Sequence, residues 1–214
     1  MQRGRFISFE GGEGTGKSTQ VRRLVERLGA RGLEVVATRE PGGSSGAEAL
    51  RTLLVEGAAD RWSSISETLI LYAARADHLE RTIRPALDRG AWVVTDRFSD
   101  STRAYQGAAG GVSAAFIASL EVEVVGETWP DLTLILDLPV DVGLARASRR
   151  GGLEHRFESK GAAFHQRLRA GFLDLAGRDP SRCVVIDANG EEEALADAIW
   201  KQVTTRLPSM DAAA

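Results

Sequence analysis

The residues best suited to chemistry lie between Glu10 and Thr19, in the run Glu-Gly-Gly-Glu-Gly-Thr-Gly-Lys-Ser-Thr. Within it, Gly11-x4-Gly16-Lys17-Ser18 meets the phosphate-binding pattern G-x-x-x-x-G-K-[ST] at every fixed position. Each residue type has its reason. Glycines let consecutive backbone N–H groups turn inward around an anion with no Cβ in the way. The helix that follows aims the positive end of its dipole at the same anion. Lys17 is placed to reach the β- and γ-phosphates, and the Ser18 hydroxyl to ligate Mg2+. Gly11, Gly12, Glu13, Gly14, Thr15, Gly16, Lys17, Ser18 and Thr19 are thus the expected cradle of a nucleoside triphosphate.

A second pair stands at Asp96-Arg97, behind the apolar run Ala91-Trp-Val-Val-Thr. Open parallel sheets place ligand groups at the carboxyl ends of their strands. An aspartate there holds the Mg2+ shell through water, or else caps the turn. The planar fork of Arg97 suits bidentate grip on a second phosphate. A metal-facing carboxylate beside a second anion site fits a phosphoryl acceptor better than water, and hence a kinase better than an NTPase.

These residues need elements to hold them. Residues 6–9 read as a strand and 19–29 as a helix, with Val21, Leu24, Val25 and Leu28 on one face. Residues 34–38 form a second strand. The run Arg39-Glu-Pro-Gly-Gly-Ser-Ser-Gly is a loop, because Pro41 and three glycines punctuate it. A short helix over 47–55 follows, then a long one over 66–89 in which Pro85 kinks or ends the last turns. Residues 91–96 are the third strand, a near-continuous apolar run covered on both faces. Residues 107–111 read as a flexible break and 114–126 as a helix. Strand 132–137, helix 140–149, helix 162–176, strand 183–187 and helix 191–207 complete the alternation. That alternation predicts an α/β fold: a five-stranded parallel sheet with helices on both faces. One domain over 1–207 is expected, with a frayed tail over 208–214.

Composition sets bounds. A length of 214 residues suits one α/β domain with a large core. The net charge of −3 supplies no strong field for nucleic acid or an anionic membrane. A single cysteine, Cys183, excludes an internal disulfide, and its apolar neighbours point to a buried, inert thiol. No apolar run approaches the ~20 residues that cross a bilayer. The first strand follows the N-terminus at once, so a cytoplasmic protein is expected. A GTPase switch would need an Asn-Lys-x-Asp motif, which is absent.

The stretch Val93-Val-Thr-Asp-Arg-Phe-Ser-Asp-Ser-Thr-Arg-Ala-Tyr-Gln-Gly107 resembles the signature of thymidylate kinases, which phosphorylate dTMP to dTDP with ATP in dTTP synthesis. The phosphate loop with its acidic Glu13, the run Thr38-Arg-Glu-Pro-Gly-Gly with the downstream Arg51, and Tyr72-Ala-Ala-Arg75 with His78 resemble the same family. The resemblance implies a phosphate-loop nucleoside monophosphate kinase fold, Mg2+, the substrates ATP and dTMP, and a homodimer. It implies that Arg97 binds the dTMP phosphate and Arg75 the thymine, with Glu13 near the acceptor 3′-hydroxyl. Ser101 and Gln106 would line the pyrimidine pocket, Tyr105 would crowd the sugar 2′ position, and Glu40 and Arg51 would steady the acceptor. The family's stacking aromatic is replaced by Leu71, with Tyr72 one position on; residues three and four apart share a helix face, so either could reach the base. The phosphate loop interior carries no arginine. The polar stretch 150–158 resembles instead the bacterial type of lid, over about 147–160, with Arg150 and Arg156 as candidates for the γ-phosphate. The pattern does not choose between them.

Overall fold

The computed structural model describes residues 3–58, 60–150 and 160–208. Its five strands are β1 (Phe6–Glu10), β2 (Val35–Arg39), β3 (Trp92–Asp96), β4 (Leu132–Asp137) and β5 (Cys183–Asp187). All pair in parallel, in the order β2-β3-β1-β4-β5. The helices run α1 (Lys17–Gly29), α2 (Ser45–Val55), α3 (Ser64–His78), α4 (Arg84–Asp88), α5 (Ser99–Thr102), α6 (Ala114–Val124), α7 (Val140–Arg150), α8 (Ala162–Arg178) and α9 (Glu192–Arg206).

Strand residues alternate between two cores, as the two-residue period requires. Ile7 and Phe9 of β1 and Val94 of β3 pack with Leu24 of α1 and Ile199 of α9. Phe6 and Val93 pack on the other face with Tyr72 of α3 and Leu79 and Ile83 beyond it. A third cluster lies under α8, where Phe164, Leu168 and Phe172 cover Ile135 and Cys183. Both faces of the sheet are therefore apolar, which is why β1 and β4 are such continuous hydrophobic runs. Cys183 is buried, and burial pushes its thiol up to about 12.

Two segments depart from the sequence reading. The long helix expected over 66–89 is divided. A π-helical turn at Leu79–Ile83 separates α3 from α4, and Pro85 sits in the first turn of α4. Proline has no N–H to give the preceding turn, and the wider turn takes up the mismatch. The expected break over 107–111 is also corrected. After α5 the chain continues as a π helix over Arg103–Ala109, and the left-handed turn comes only at Gly111 (φ 78°). At Gly107 a Cβ would lie 3.1 Å from Ile117 Cδ1, a tight contact to which the end of that side chain would have to yield.

Candidate active site

The phosphate loop bridges β1 and α1 at the point where the sheet order reverses direction around β1. Two of its glycines are required by geometry. Gly11 has φ 132° and a Cβ there would stand 2.4 Å from the Leu136 carbonyl oxygen; at Gly14, φ 71°, it would stand 2.1 Å from that of Gly143. The loop is thus wedged between β4 and α7. Gly16 opens α1 in a left-handed conformation (φ 84°), and no side chain caps that helix or brings an acid into its first turn. Its first N–H groups are left to an incoming anion. Lys17 folds back over the loop, donating to the carbonyls of Gly12 (2.8 Å) and Gly11 (3.2 Å) and to the Thr15 hydroxyl (3.3 Å). Burial, with the nearby Arg97, lowers its ammonium to about 8 despite Glu13, Asp96 and Glu10. Thr19 lies within the first turn of α1.

Asp96 ends β3 and accepts a 2.6 Å hydrogen bond from Ser18. Both border the main cavity, of about 180 Å3, beside Lys17. A hydroxyl and a carboxylate are the hard oxygen donors that Mg2+ takes, so this pair fits the ion. Arg97, the next residue, is held at φ 71°, the only non-glycine residue in the left-handed region among those described. Such a conformation costs about 1–3 kcal/mol and persists where neighbours over-determine it. Here Arg97 N–H donates to the Phe9 carbonyl (2.9 Å), and the Thr95 hydroxyl donates to the Arg97 carbonyl (2.9 Å). Glu10 fixes the same turn by accepting from Phe98 N–H (2.8 Å) and the Ser101 hydroxyl (2.5 Å). Burial, reinforced by Asp100, pushes Glu10 up to about 8.

The side chains above this turn form one network. Arg97 donates to the Gly11 carbonyl (3.0 Å), to Ser101 (3.2 Å) and to Glu13 (3.0 Å). The Tyr105 hydroxyl donates to the same Glu13 oxygen at 2.6 Å, and its ring lies 4.8 Å from the Arg97 guanidinium. Burial alone would raise Glu13, but Arg97, Lys17 and the Tyr105 hydroxyl hold it down to about 2. For Arg97, burial is outweighed by Tyr105, Glu13, Asp96 and Glu10, which raise its pKa and keep it cationic.

The far end of the cavity is lined by Glu40, Pro41, Arg51, Leu71, Arg75, Phe98, Thr102 and Gln106. Arg75 is 2% exposed. Its Nε donates to Glu40 (2.8 Å) and one terminal nitrogen to Thr102 (3.1 Å). The other terminal nitrogen, Nη1, has no hydrogen-bond partner among the described residues. Arg51 donates to the Pro41 carbonyl (2.7 Å), and Gln106 to Glu67 (2.7 Å).

Tyr72 corrects the sequence reading. Its ring packs in the apolar core, 4.7 Å from the Arg75 guanidinium, and its hydroxyl meets Ser99 at 3.1 Å, while Leu71 borders the cavity. One residue along a helix turns the side chain through about 100°, so only one of the two can face the opening. The sequence reading also missed Glu10, Phe98, Thr102, Leu54 and Val55. Glu10 had a signal, a charged residue ending an otherwise apolar strand. Leu54 and Val55, at the end of α2, had none. Of the proposed lid arginines, Arg150 closes α7, and Arg156 lies outside the described residues with most of the stretch 147–160.

A phosphate loop at the switch point of a parallel sheet, with a cavity lined by Arg51, Arg75 and Arg97 alongside, is the arrangement of a nucleotide phosphotransferase of the nucleoside monophosphate kinase type. Comparison with known proteins narrows the class. The family model described as thymidylate kinase matches residues 9–199. A thymidylate kinase of Caulobacter vibrioides is 65% identical over 207 residues, covering 97% of this chain and 99% of that protein. One from Afipia carboxidovorans is 52% identical, with coverage of 97% and 92%. The crystal structure of thymidylate kinase from Ehrlichia chaffeensis superposes with a TM-score of 0.77 at 33% identity, covering 94% of this chain and 99% of that one. The chain belongs to the thymidylate kinase family.

Proposed function

We infer that the main cavity seats dTMP between Arg75 and Arg97, with ATP on the loop from Gly11 to Thr19. The reaction is phosphorylation of dTMP to dTDP, with ATP as donor. The observation that carries the placement is the buried Nη1 of Arg75. A cationic donor without a partner in a cavity wall is costly unless a ligand acceptor meets it, and a pyrimidine carbonyl is such an acceptor. Leu71 and Phe98 supply the apolar contact a base ring needs, and Gln106 and Ser101 the polar edge. At the other end, Arg97 grips the dTMP phosphate, and Glu13 and Tyr105 stand where a sugar would follow. Glu40 and Arg51 steady that wall.

Phosphoryl transfer leaves little covalent work to the protein, so catalysis is positioning and charge stabilisation. Lys17 leaves its loop carbonyls for the β- and γ-phosphates. Arg97 aligns the attacking oxygen and offsets its charge. Ser18 and Asp96 would hold Mg2+, which supplies positive charge to the donor phosphates. Arg150 and Arg156 are the candidates to complete the charge around the γ-phosphate. Closure over the donor excludes water and so suppresses futile hydrolysis.

The protein works in the cytoplasm as a homodimer, with small-molecule substrates and no nucleic acid. No described helix is long and apolar enough to cross a membrane. Exposed Ile65 and Leu69 on α3 and Val122 on α6 form the apolar surface for a second copy. Substituting Arg97→Met tests the acceptor assignment. It should lower kcat/KM for dTMP by about a hundredfold or more, as loss of a charged phosphate contact does, while ATP affinity stays within about threefold. Activity within about threefold of wild type would refute the role of Arg97.

A further inference from the structure

His78 is wholly buried on the last turn of α3, one turn beyond Arg75. Its Nδ1 lies 3.1 Å from Glu40 Oε1, and its Nε2 lies 2.7 Å from the Thr38 hydroxyl. The other Glu40 oxygen, Oε2, accepts from Arg75 Nε at 2.8 Å. These contacts turn Nδ1 to a carboxylate and Nε2 to a hydroxyl. A carboxylate paired with a guanidinium only accepts, so the proton is on Nδ1, and the Thr38 hydroxyl can donate to Nε2. Thr38 belongs to β2, opposite Thr95 of β3, and Glu40 N–H is tied to the Asp96 carbonyl at 2.9 Å. A Cβ at Gly43 would stand 2.3 Å from His78 Nε2, so the ring fills its slot closely.

The chain Thr38–His78–Glu40–Arg75–Thr102 thus runs from the sheet to the cavity wall and includes the guanidinium whose buried Nη1 has no hydrogen-bond partner among the described residues. We propose that His78 is a positioning residue for the acceptor base: acting through Glu40, it fixes the plane of Arg75 and so the direction of its unpartnered nitrogen. Glu40 with Arg75 alone could swing about their shared bond. With its second oxygen held by an imidazole that is itself held by Thr38, the carboxylate has one orientation, and the guanidinium fork follows it. The inference rests on reading Arg75 as the contact to the base.

Two substitutions separate positioning from simple filling of the slot. Asparagine places an amide nitrogen where Nδ1 stands and keeps the bond to Glu40; glutamine places one where Nε2 stands and keeps the bond to Thr38. His78→Asn should hold KM for dTMP within about threefold, whereas His78→Gln should raise it about tenfold or more, with KM for ATP unchanged in both. Equal effects of the two on dTMP, or a parallel rise in both Michaelis constants, would overturn the proposal. Arg75→Ala is the companion variant. If it leaves KM for dTMP unchanged, the base contact itself is wrong; if it raises KM while the two His78 variants coincide, the relay alone is wrong. The wild-type protein gives a measurement independent of variant folding. Nitrogen-15 NMR of the imidazole should find the His78 proton on Nδ1, and a spectrum with the proton on Nε2 alone would overturn the proposal.

Discussion

Lys17 illustrates what a single residue's surroundings do to its chemistry. Burial and Arg97 lower its ammonium to about 8, from an ordinary value near 10.5. In the proposed role of Lys17 at the donor phosphates it is the protonated form that binds, so on that reading the free enzyme loses its donor-site cation as pH rises through about 8. A bound triphosphate adds negative charge and restores the proton. The kcat/KM for ATP reports the free enzyme. It should therefore fall above about pH 8 while kcat holds to higher pH, as measured by initial rates from pH 6.5 to 10. Glu10 titrates in the same region, so the fall must persist in Glu10→Gln to belong to Lys17. A flat profile to pH 9.5 would show that Lys17 is not so perturbed. At this scale the sequence is most legible where a motif fixes spacing, as from Gly11 to Ser18. It is least legible where helix phase decides, and Leu71 against Tyr72 turns on a rotation that no pattern of residue types states. Glu10 is intermediate: its type is visible, but its burial and its hold on Phe98 and Ser101 come from the tertiary fold.

At the scale of elements, the loop between β1 and α1 works because it is wedged rather than free. Gly14 faces the Gly143 carbonyl of α7 so closely that a Cβ would lie 2.1 Å from that oxygen, at a φ of 71° that disfavours any side chain. Gly14→Ala should push the loop off α7, raising KM for ATP at least about tenfold and lowering Tm by about 3–8 °C. Calorimetry and donor titration check both, and an unchanged Tm would mean that the loop yields freely. The strands and long helices were readable because apolar periodicity and glycine punctuation report them directly. The segment from Ser99 to Ala109 was not. Its serine, aspartate, threonine and glycine content favours loops, yet the segment is helical because Ala104 and Tyr105 pack under Phe164 and Phe172 of α8. The π turn at Leu79–Ile83 was half legible, since Pro85 announces a disturbance without stating its form.

On the scale of the whole molecule, the parallel sheet brings Glu10, Arg39, Asp96 and Asp137 to one edge, and the cavity follows from the strand order. The outer surface carries the remaining proposal. Val122 is 72% exposed and Ile65 56%, on helices α6 and α3. If this face joins two copies, Val122→Asp should shift the sedimenting species from dimer to monomer at micromolar concentration, and a wild-type monomer would dismiss the homodimer. Composition could not place this surface, because exposed valines and leucines are ordinary on any protein. The central claim concerns acceptor choice, and it is tested most directly by ADP release with Mg·ATP and dTMP, dUMP, dCMP or no acceptor. The arrangement of Arg75, Leu71 and Arg97 predicts rapid release with dTMP and only background release without an acceptor. Equal rates with all three nucleotides, or release that needs none of them, would contradict it.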